Sequence, residues 1–257
     1  MLIVLPPSET KRPPPDEGDP VDLASLSFPD LTPTRVAIAA ALIETSAGPD
    51  AFARLGVRHA LAGQVARNAR LLELPTRPAL EVYSGPLHQG LAASSLTSDG
   101  LARARESVVV VSALWGALGP DDRIPAYRLH ACGHLVGLDR LEPMWRAVLP
   151  AVLDEAAGDG LIVDLRSPAY QALGMPRRAA ERTVALKVSQ GGGIGGRRIG
   201  DVVAKRVRGE AARHLLESSA EPRDVGELAT ALGERWPVNL DPGGLRRPAT
   251  LTLFVAD

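Results

Sequence analysis

Lys205, Arg206 and Arg208 lie almost side by side in the stretch Ala204-Lys205-Arg206-Val207-Arg208-Gly209. On a helix Lys205 and Arg208 are neighbours at i, i+3, while Arg206 and Arg213 repeat at i+7. Val203, Val207, Ala211 and Leu215 supply an i, i+4 stripe that can face a core, so the cations are fixed on one packed element. From Arg166 to Arg213 there are 11 Lys and Arg against 3 Asp and Glu, whereas the rest of the chain carries 18 against 27. Such an asymmetry, in a protein of net charge -1, points to a basic site that receives an anion. The candidate anions are a nucleic-acid backbone and a phosphorylated or carboxylated small molecule. Gly209 costs a helix roughly 1 kcal/mol relative to Ala, which calls for something that packs or binds closely there.

Two other segments offer polar groups to such a ligand. Pro6-Pro7-Ser8-Glu9-Thr10-Lys11 follows the first aliphatic run, and ligands of α/β proteins commonly bind where strands end. Its Ser8, Glu9 and Lys11 combine a hydroxyl, a carboxylate and an ammonium. Tyr127 and Arg128, downstream of the small residues in Ser112-Ala113-Leu114-Trp115-Gly116-Ala117, pair a phenol ring with a bidentate anion donor. His130, Cys132 and His134 alternate, and with His88 they are the soft-ligand candidates. No fourth ligand is specified and the spacing is unlike the common zinc modules. Neither a metal nor a cofactor is therefore expected. Gly191-Gly192-Gly193-Ile194-Gly195-Gly196 formally satisfies G-x-G-x-x-G, but no ribose-binding acid follows at the expected distance. A hairpin tip is the expectation there.

The elements that must hold these groups read as alternating strands and helices. Strands are predicted at Leu2–Leu5, Ala79–Tyr83, Ser107–Ser112 as the central one, Leu161–Leu165, Val184–Val188 and Thr250–Val255. Helices are predicted from Arg35, behind a Thr34 N-cap with Val36, Ile38 and Leu42 inward, over Leu141–Ala157, and as a pair across Pro49–Leu72 around Leu55-Gly56-Val57. Pro13–Pro33 reads as an extended connection. The fold class is α/β, a mixed and curved sheet in one domain spanning 1–257.

Hydrophobic content of 45% and charged content of 23% are those of an ordinary globular chain, and with only 4% aromatics the core must be aliphatic. The single Cys132 excludes an internal disulfide framework and fits a reducing cytoplasm. No apolar run approaches the roughly 20 residues of a membrane helix, and the N-terminus lacks the positive region of a signal peptide. A soluble, cytoplasmic protein without a membrane partner is expected.

The ordered pieces Pro6–Lys11, Val82-Tyr83-Ser84-Gly85 with Gly90-Leu91, Ser112–Leu118 with Pro120-Asp121, Ala126–Leu129, Asp164–Tyr170 and Ala204–Gly209 resemble the YaaA family of bacterial peroxide-stress proteins over nearly the whole chain. The resemblance implies a cytosolic protein that limits oxidative damage to DNA and protein and is linked to intracellular iron. It implies helices wrapped around a curved sheet, a positively charged cleft, a helix-hairpin-helix element and DNA binding. In this chain the element corresponds to 49–72, with its hairpin near Leu55-Gly56-Val57-Arg58. Matched positions and charge together predict a site of Ser8, Lys11, Tyr127, Arg128, Arg166, Lys205 and Arg208. Two functions fit it: sequence-nonspecific binding of DNA phosphates, or an enzyme acting on a nucleotide, a DNA base or another anionic metabolite. In the second, Glu9 or Tyr127 would move a proton, and a narrow pocket rather than an open groove would favour it.

Overall fold

The aliphatic runs assemble side by side. The computed structural model describes residues 1–191, 199–218, 220–244 and 247–255. Its strands are β1 (Leu2–Leu5), β2 (Arg77–Pro78), β3 (Val108–Ser112), β4 (Gly116–Leu118), β5 (Arg123–Ile124), β6 (Ile162–Asp164), β7 (Thr183–Gln190), β8 (Val238–Asp241) and β9 (Ala249–Val255). Its α-helices are α1 (Thr32–Ala47), α2 (Ala51–Leu55), α3 (Ala62–Asn68), α4 (Ala79–Val82), α5 (Pro86–Leu91), α6 (Ser98–Ser107), α7 (Leu141–Ala157), α8 (Pro168–Gln171), α9 (Asp201–Glu217) and α10 (Val225–Gly233).

Among the described residues, seven strands form a mixed sheet in the order β4-β3-β1-β6-β7-β9-β8, and β2 pairs with β5 apart from it. The inner five run parallel, and β4 and β8 close the two edges antiparallel. β1 and β3 are buried along their whole length, as expected for β-branched and aliphatic strands covered on both faces. One hydrophobic core joins the sheet to α1, α7, α9 and α10. α7 contributes Leu141, Trp145, Leu149 and Leu153, one buried residue per turn. This is the α/β class anticipated, in a single domain. No helix among the described residues is long and apolar enough to cross a membrane.

Several expectations are corrected. Ala79–Val82 is a short helix: of the predicted strand only Tyr83 finds a β partner, an isolated bridge to Lys11, while its N–H closes the turn on the Ala79 carbonyl. β3 is second from an edge, not central; β6 holds the middle. α1 begins at Thr32, and Val36 faces solvent at 49% exposure while Arg35 takes the inner place. The Arg35 guanidinium is held by backbone carbonyls: Nε donates to Trp115 (2.8 Å) and Nη2 to Ser27 and Ala117 (2.7 Å each). On α9, Val203 is also exposed, and Ala204 and Ala212 join the buried stripe. Of the glycine run, residues 192–196 lie outside the described residues. The expected hairpin tip falls on that run.

Gly209 has a packing reason. α5 crosses α9 so closely that a Cβ at Gly209 would lie 1.9 Å from the Leu87 carbonyl oxygen, and one at Gly90 would lie 2.1 Å from that of Arg206. Two facing glycines let the helix backbones touch, and this contact fixes the height of Lys205 and Arg208 over the sheet.

Candidate functional site

β1 has β3 on one side and β6 on the other. The chain leaves β1 toward β3 and later continues from β6 the opposite way, so the loops after β1 and β6 diverge. Such a switch point opens a crevice at the carboxyl ends of the strands. Here that crevice is a cavity of about 300 Å³. The loop Pro6–Thr10 after β1, Ser167 and Tyr170 after β6, His88 of α5, the strip His130–Cys132, and Lys205 and Arg208 of α9 enclose it.

The loop after β1 is folded back on itself. Ser8 Oγ accepts from the Thr10 N–H (3.1 Å), and Lys11 Nζ donates to the Ser8 carbonyl (2.6 Å). Its far end is zipped to the chain before α5, Arg12 N–H donating to Val82 and Ser84 N–H to Thr10. Gly85 is required for this approach, since a Cβ there would meet Ser8 Oγ at 2.2 Å. Behind Ser8 the Lys11 ammonium lies over the Tyr127 ring, 4.2 Å from its centroid, and 5.6 Å from that of Tyr83. Burial is the main reason its pKa falls to about 7; Glu9 opposes the shift and Arg128 adds to it. Tyr127 and Tyr83 share a hydrogen bond between their hydroxyls (3.0 Å). Burial raises the pKa of both phenols, so both stay protonated at neutral pH.

The predicted cations separate into distinct groups. Arg128 pairs with the Glu9 carboxylate and also donates to the Glu9 carbonyl (3.2 Å). Its backbone is clamped in both directions by the buried Asn68 side chain at the end of α3 (2.8 Å each). Lys205 pairs with Asp201 one turn earlier (2.6 Å) and remains 41% exposed. Arg208 has no hydrogen bond or ion pair among the described residues, and its Nε is buried without a partner. Burial lowers its pKa, against the pull of Asp201 and Asp164. Arg166 belongs elsewhere. It is fully buried in a two-pronged pair with Asp164 (2.9 Å for each contact) and also donates to the Gly174 carbonyl (3.0 Å). Ser8, Lys205 and Arg208 therefore line the cavity, Lys11 and Tyr127 stand behind Ser8, Arg128 holds its rim through Glu9, and Arg166 braces the interior beneath β6.

Of the lining residues outside the predicted site, His88 and Tyr170 are the ones with shifted titration. His88 Nε2 is 3.1 Å from the Pro6 carbonyl, while its buried Nδ1 has no partner. Burial first, and then the Lys11 charge, lower its pKa to about 4, so His88 is neutral here. Tyr170 sits in the Asp164–Tyr170 piece, whose order in the chain was the one available signal. Its phenol pKa is raised, chiefly by burial. Cys132 is exposed at the cavity rim, its N–H donating to His130 Nδ1 (3.1 Å). The His134 backbone N–H donates to the Arg54 carbonyl (2.9 Å). Among the described residues no three His, Cys, Asp or Glu side chains gather closely enough to hold a metal ion.

The sequence model of the family described as "Peroxide stress protein YaaA" matches residues 1–238. A UPF0246 protein of Streptomyces coelicolor is 41% identical over 235 residues, covering 90% of this chain and 89% of its own. One from Corynebacterium efficiens is 40% identical over 258 residues, covering 99% of this chain and 100% of its own. One from Corynebacterium glutamicum strain R is 37% identical over 238 residues, covering 91% and 93%. The match extends over the strands, the first loop and the helix that build the cavity, and the chain belongs to the YaaA family of peroxide stress proteins.

Proposed function

We propose that this protein serves the peroxide-stress response by binding DNA and drawing one phosphate-bearing nucleotide into the cavity between β1, β6 and α9. The observation that carries the reading is the meeting of Ser8, Lys205 and Arg208 around one cavity, with the buried Arg208 Nε lacking a partner among the described residues. A half-buried guanidinium whose Nε is shielded and unpaired is costly to keep unless an anion comes to it. At about 300 Å³ the cavity is at the small end of ligand sites. That is room for a single nucleotide and far too little for a duplex, so DNA would present an extruded unit.

Support for DNA as the source comes from the neighbouring helices α2 and α3. Arg54 and Arg58 are exposed there, and the pair is tied to the cavity through Asn68 on Arg128 and through Gly56 against His130. In this reading the helix pair holds backbone phosphates without reading bases, and occupation of DNA limits iron-linked oxidative damage to it. A second reading, favoured by the same small volume, is that the ligand is a free nucleotide or another anionic metabolite.

Fluorescence anisotropy with a duplex, a duplex carrying an unpaired base, and a mononucleotide separates them. The duplex with the unpaired base should bind tightest, with log affinity falling linearly in log salt. Lys205→Ala with Arg208→Ala should weaken all DNA sequences alike, by tenfold or more, since a charged hydrogen bond contributes about 1.5–3 kcal/mol. Unchanged affinity in that double variant removes the cavity from DNA binding. Binding of the mononucleotide alone transfers the function to a metabolite.

A further inference from the structure

Two cations beside the cavity already hold a carboxylate of the protein, and the two pairs are built differently. The Arg128 side chain is only 15% exposed and grips Glu9 at both its carboxylate and its carbonyl, while Asn68 clamps the Arg128 backbone. That pair is fixed in the rim. Lys205 meets Asp201 through a single contact of 2.6 Å, and the Asp201 side chain is 76% exposed. Among the described residues this is the one contact that holds the Asp201 carboxylate. Asp201, Lys205 and Arg208 stand at i, i+4 and i+7 of α9, one stripe along one face. The Asp201 charge reaches Arg208 as well as Lys205. Asp201 therefore adjoins both cations of α9 that line the cavity without lining it itself.

An exposed ion pair one turn apart is weak, because water screens it and two flexible side chains must be held in place. A phosphate lying between Lys205 and Arg208 meets both cations at once through charge-assisted hydrogen bonds. It also brings Arg208 the partner that Asp201, two turns away, does not supply. We propose that Asp201 is a displaceable counter-ion, which occupies Lys205 while the cavity is empty, gives way to the phosphate of the ligand, and so decides which anions enter. The inference rests on the phosphate-in-cavity reading above and assigns its specificity to one residue outside the cavity wall. Asp201 raises the threshold for every anion by the same factor. A small inorganic anion, held by the cations alone, stays out. A nucleotide that also meets the Ser8 loop and Tyr170 passes the threshold. Only ion pairs are exchanged; no covalent bond changes and no proton moves.

Phosphorus NMR titration of the full-length protein, in phosphate-free buffer of low ionic strength, tests this with inorganic phosphate and a deoxynucleoside 5′-monophosphate as probes. Asp201→Asn should tighten binding of both by about three- to tenfold, the effect of removing one like charge several ångströms from the ligand near the surface. Asp201→Glu, which keeps the charge at the same place on the helix, should bind both probes as the parent does. In the Lys205→Ala background the Asp201→Asn gain should fall below about twofold, because the pair that it relieves is gone. Circular dichroism checks that each variant is folded; if Asp201→Asn is not, Asp201→Ser carries the same expectation. Equal affinity of Asp201→Asn and the parent, or a gain that survives in full without Lys205, overturns the proposal and leaves the cavity reading standing. A gain for the mononucleotide without one for inorganic phosphate overturns it too. Failure of both probes to bind either the parent or Asp201→Asn removes the cavity as a phosphate site, and the counter-ion with it.

Discussion

Arg166 and Arg208 both feel the charge of Asp164, yet they play opposite parts. Arg166 has the Asp164 carboxylate on its fork and the Gly174 carbonyl on its third face, and it sees no solvent. Arg208 has no hydrogen bond or ion pair among the described residues and a buried, unpaired Nε at the cavity wall. The sequence places both in the same basic stretch. The difference lies in whether the protein itself satisfies the cation: Arg166 is satisfied and acts as a brace, whereas Arg208 keeps an unpaired Nε at the cavity wall, and the proposed anion binding rests on that nitrogen.

The sharpest break of this contrast is Arg166→Ala. Removing one member of a fully buried pair strands the other charge, so unfolding in denaturant should show a loss of about 3–5 kcal/mol. Replacing both partners, Arg166→Leu with Asp164→Leu, should restore much of it, because no unpaired charge is left inside. An Arg166→Ala protein that is as stable as the parent but no longer binds its anion would reverse the assignment of Arg166.

His88 supplies the next effect. Its pKa is about 4 when folded against an ordinary 6.5. On acidification the unfolded chain therefore takes up this proton first. Its share of stability is intact above pH 6.5 and declines between there and about 4, at up to about 1.4 kcal/mol per pH unit. The total is on the order of 3 kcal/mol. His88→Gln should flatten that part of the stability profile measured by urea titration at successive pH values. An unchanged slope in the variant would show that His88 is not held neutral by the cavity wall.

Gly209 tests whether the cations of α9 are set by helix packing. Helix propensity alone makes Gly209→Ala stabilising by roughly 1 kcal/mol. The Leu87 carbonyl, 1.9 Å from the new Cβ, reverses that sign, and overpacking of this kind costs about 1–3 kcal/mol. A lowered Tm together with weaker anion binding is expected, because α9 must move away from α5 and carry Arg208 with it. A raised Tm would mean that the crossing is looser than it looks.

Much of the fold could be read from the chain because the signals were local. Leu2–Leu5, Val108–Val111 and Leu141–Ala157 are continuous apolar or once-per-turn patterns, and each became the element it suggested. Ala79–Val82 misled because four residues fit either period and only a β partner, which Tyr83 alone finds, decides. Arg35 was invisible as a core residue, since its acceptors, the carbonyls of Ser27, Trp115 and Ala117, come from distant turns that sequence spacing cannot bring together. The same limit applies to the site. The basic helix and the first loop stood out by residue type, but the distinction between Arg166 and Arg208 lies wholly in long-range partners. Tyr170 was marked only by the order of the Asp164–Tyr170 piece and His88 only as a soft-ligand candidate; Tyr170 reaches the cavity from the loop after β6, and His88 from α5 against the Pro6 carbonyl.

The smallest effect on stability is the most informative for function. Arg208→Ala removes a guanidinium that makes no hydrogen bond or ion pair among the described residues, and it relieves the burial that lowers its pKa. Its unfolding free energy should change by no more than about 0.5 kcal/mol, in either direction. Anion affinity should nevertheless drop by tenfold or more, which is the reverse of the pattern expected at Arg166. Measuring both quantities on both variants gives a crossed comparison: one arginine matters to folding alone and the other to binding alone. If Arg208→Ala destabilises the protein as strongly as Arg166→Ala, the side chain has partners within the fold. Its charge then no longer calls for an anionic ligand.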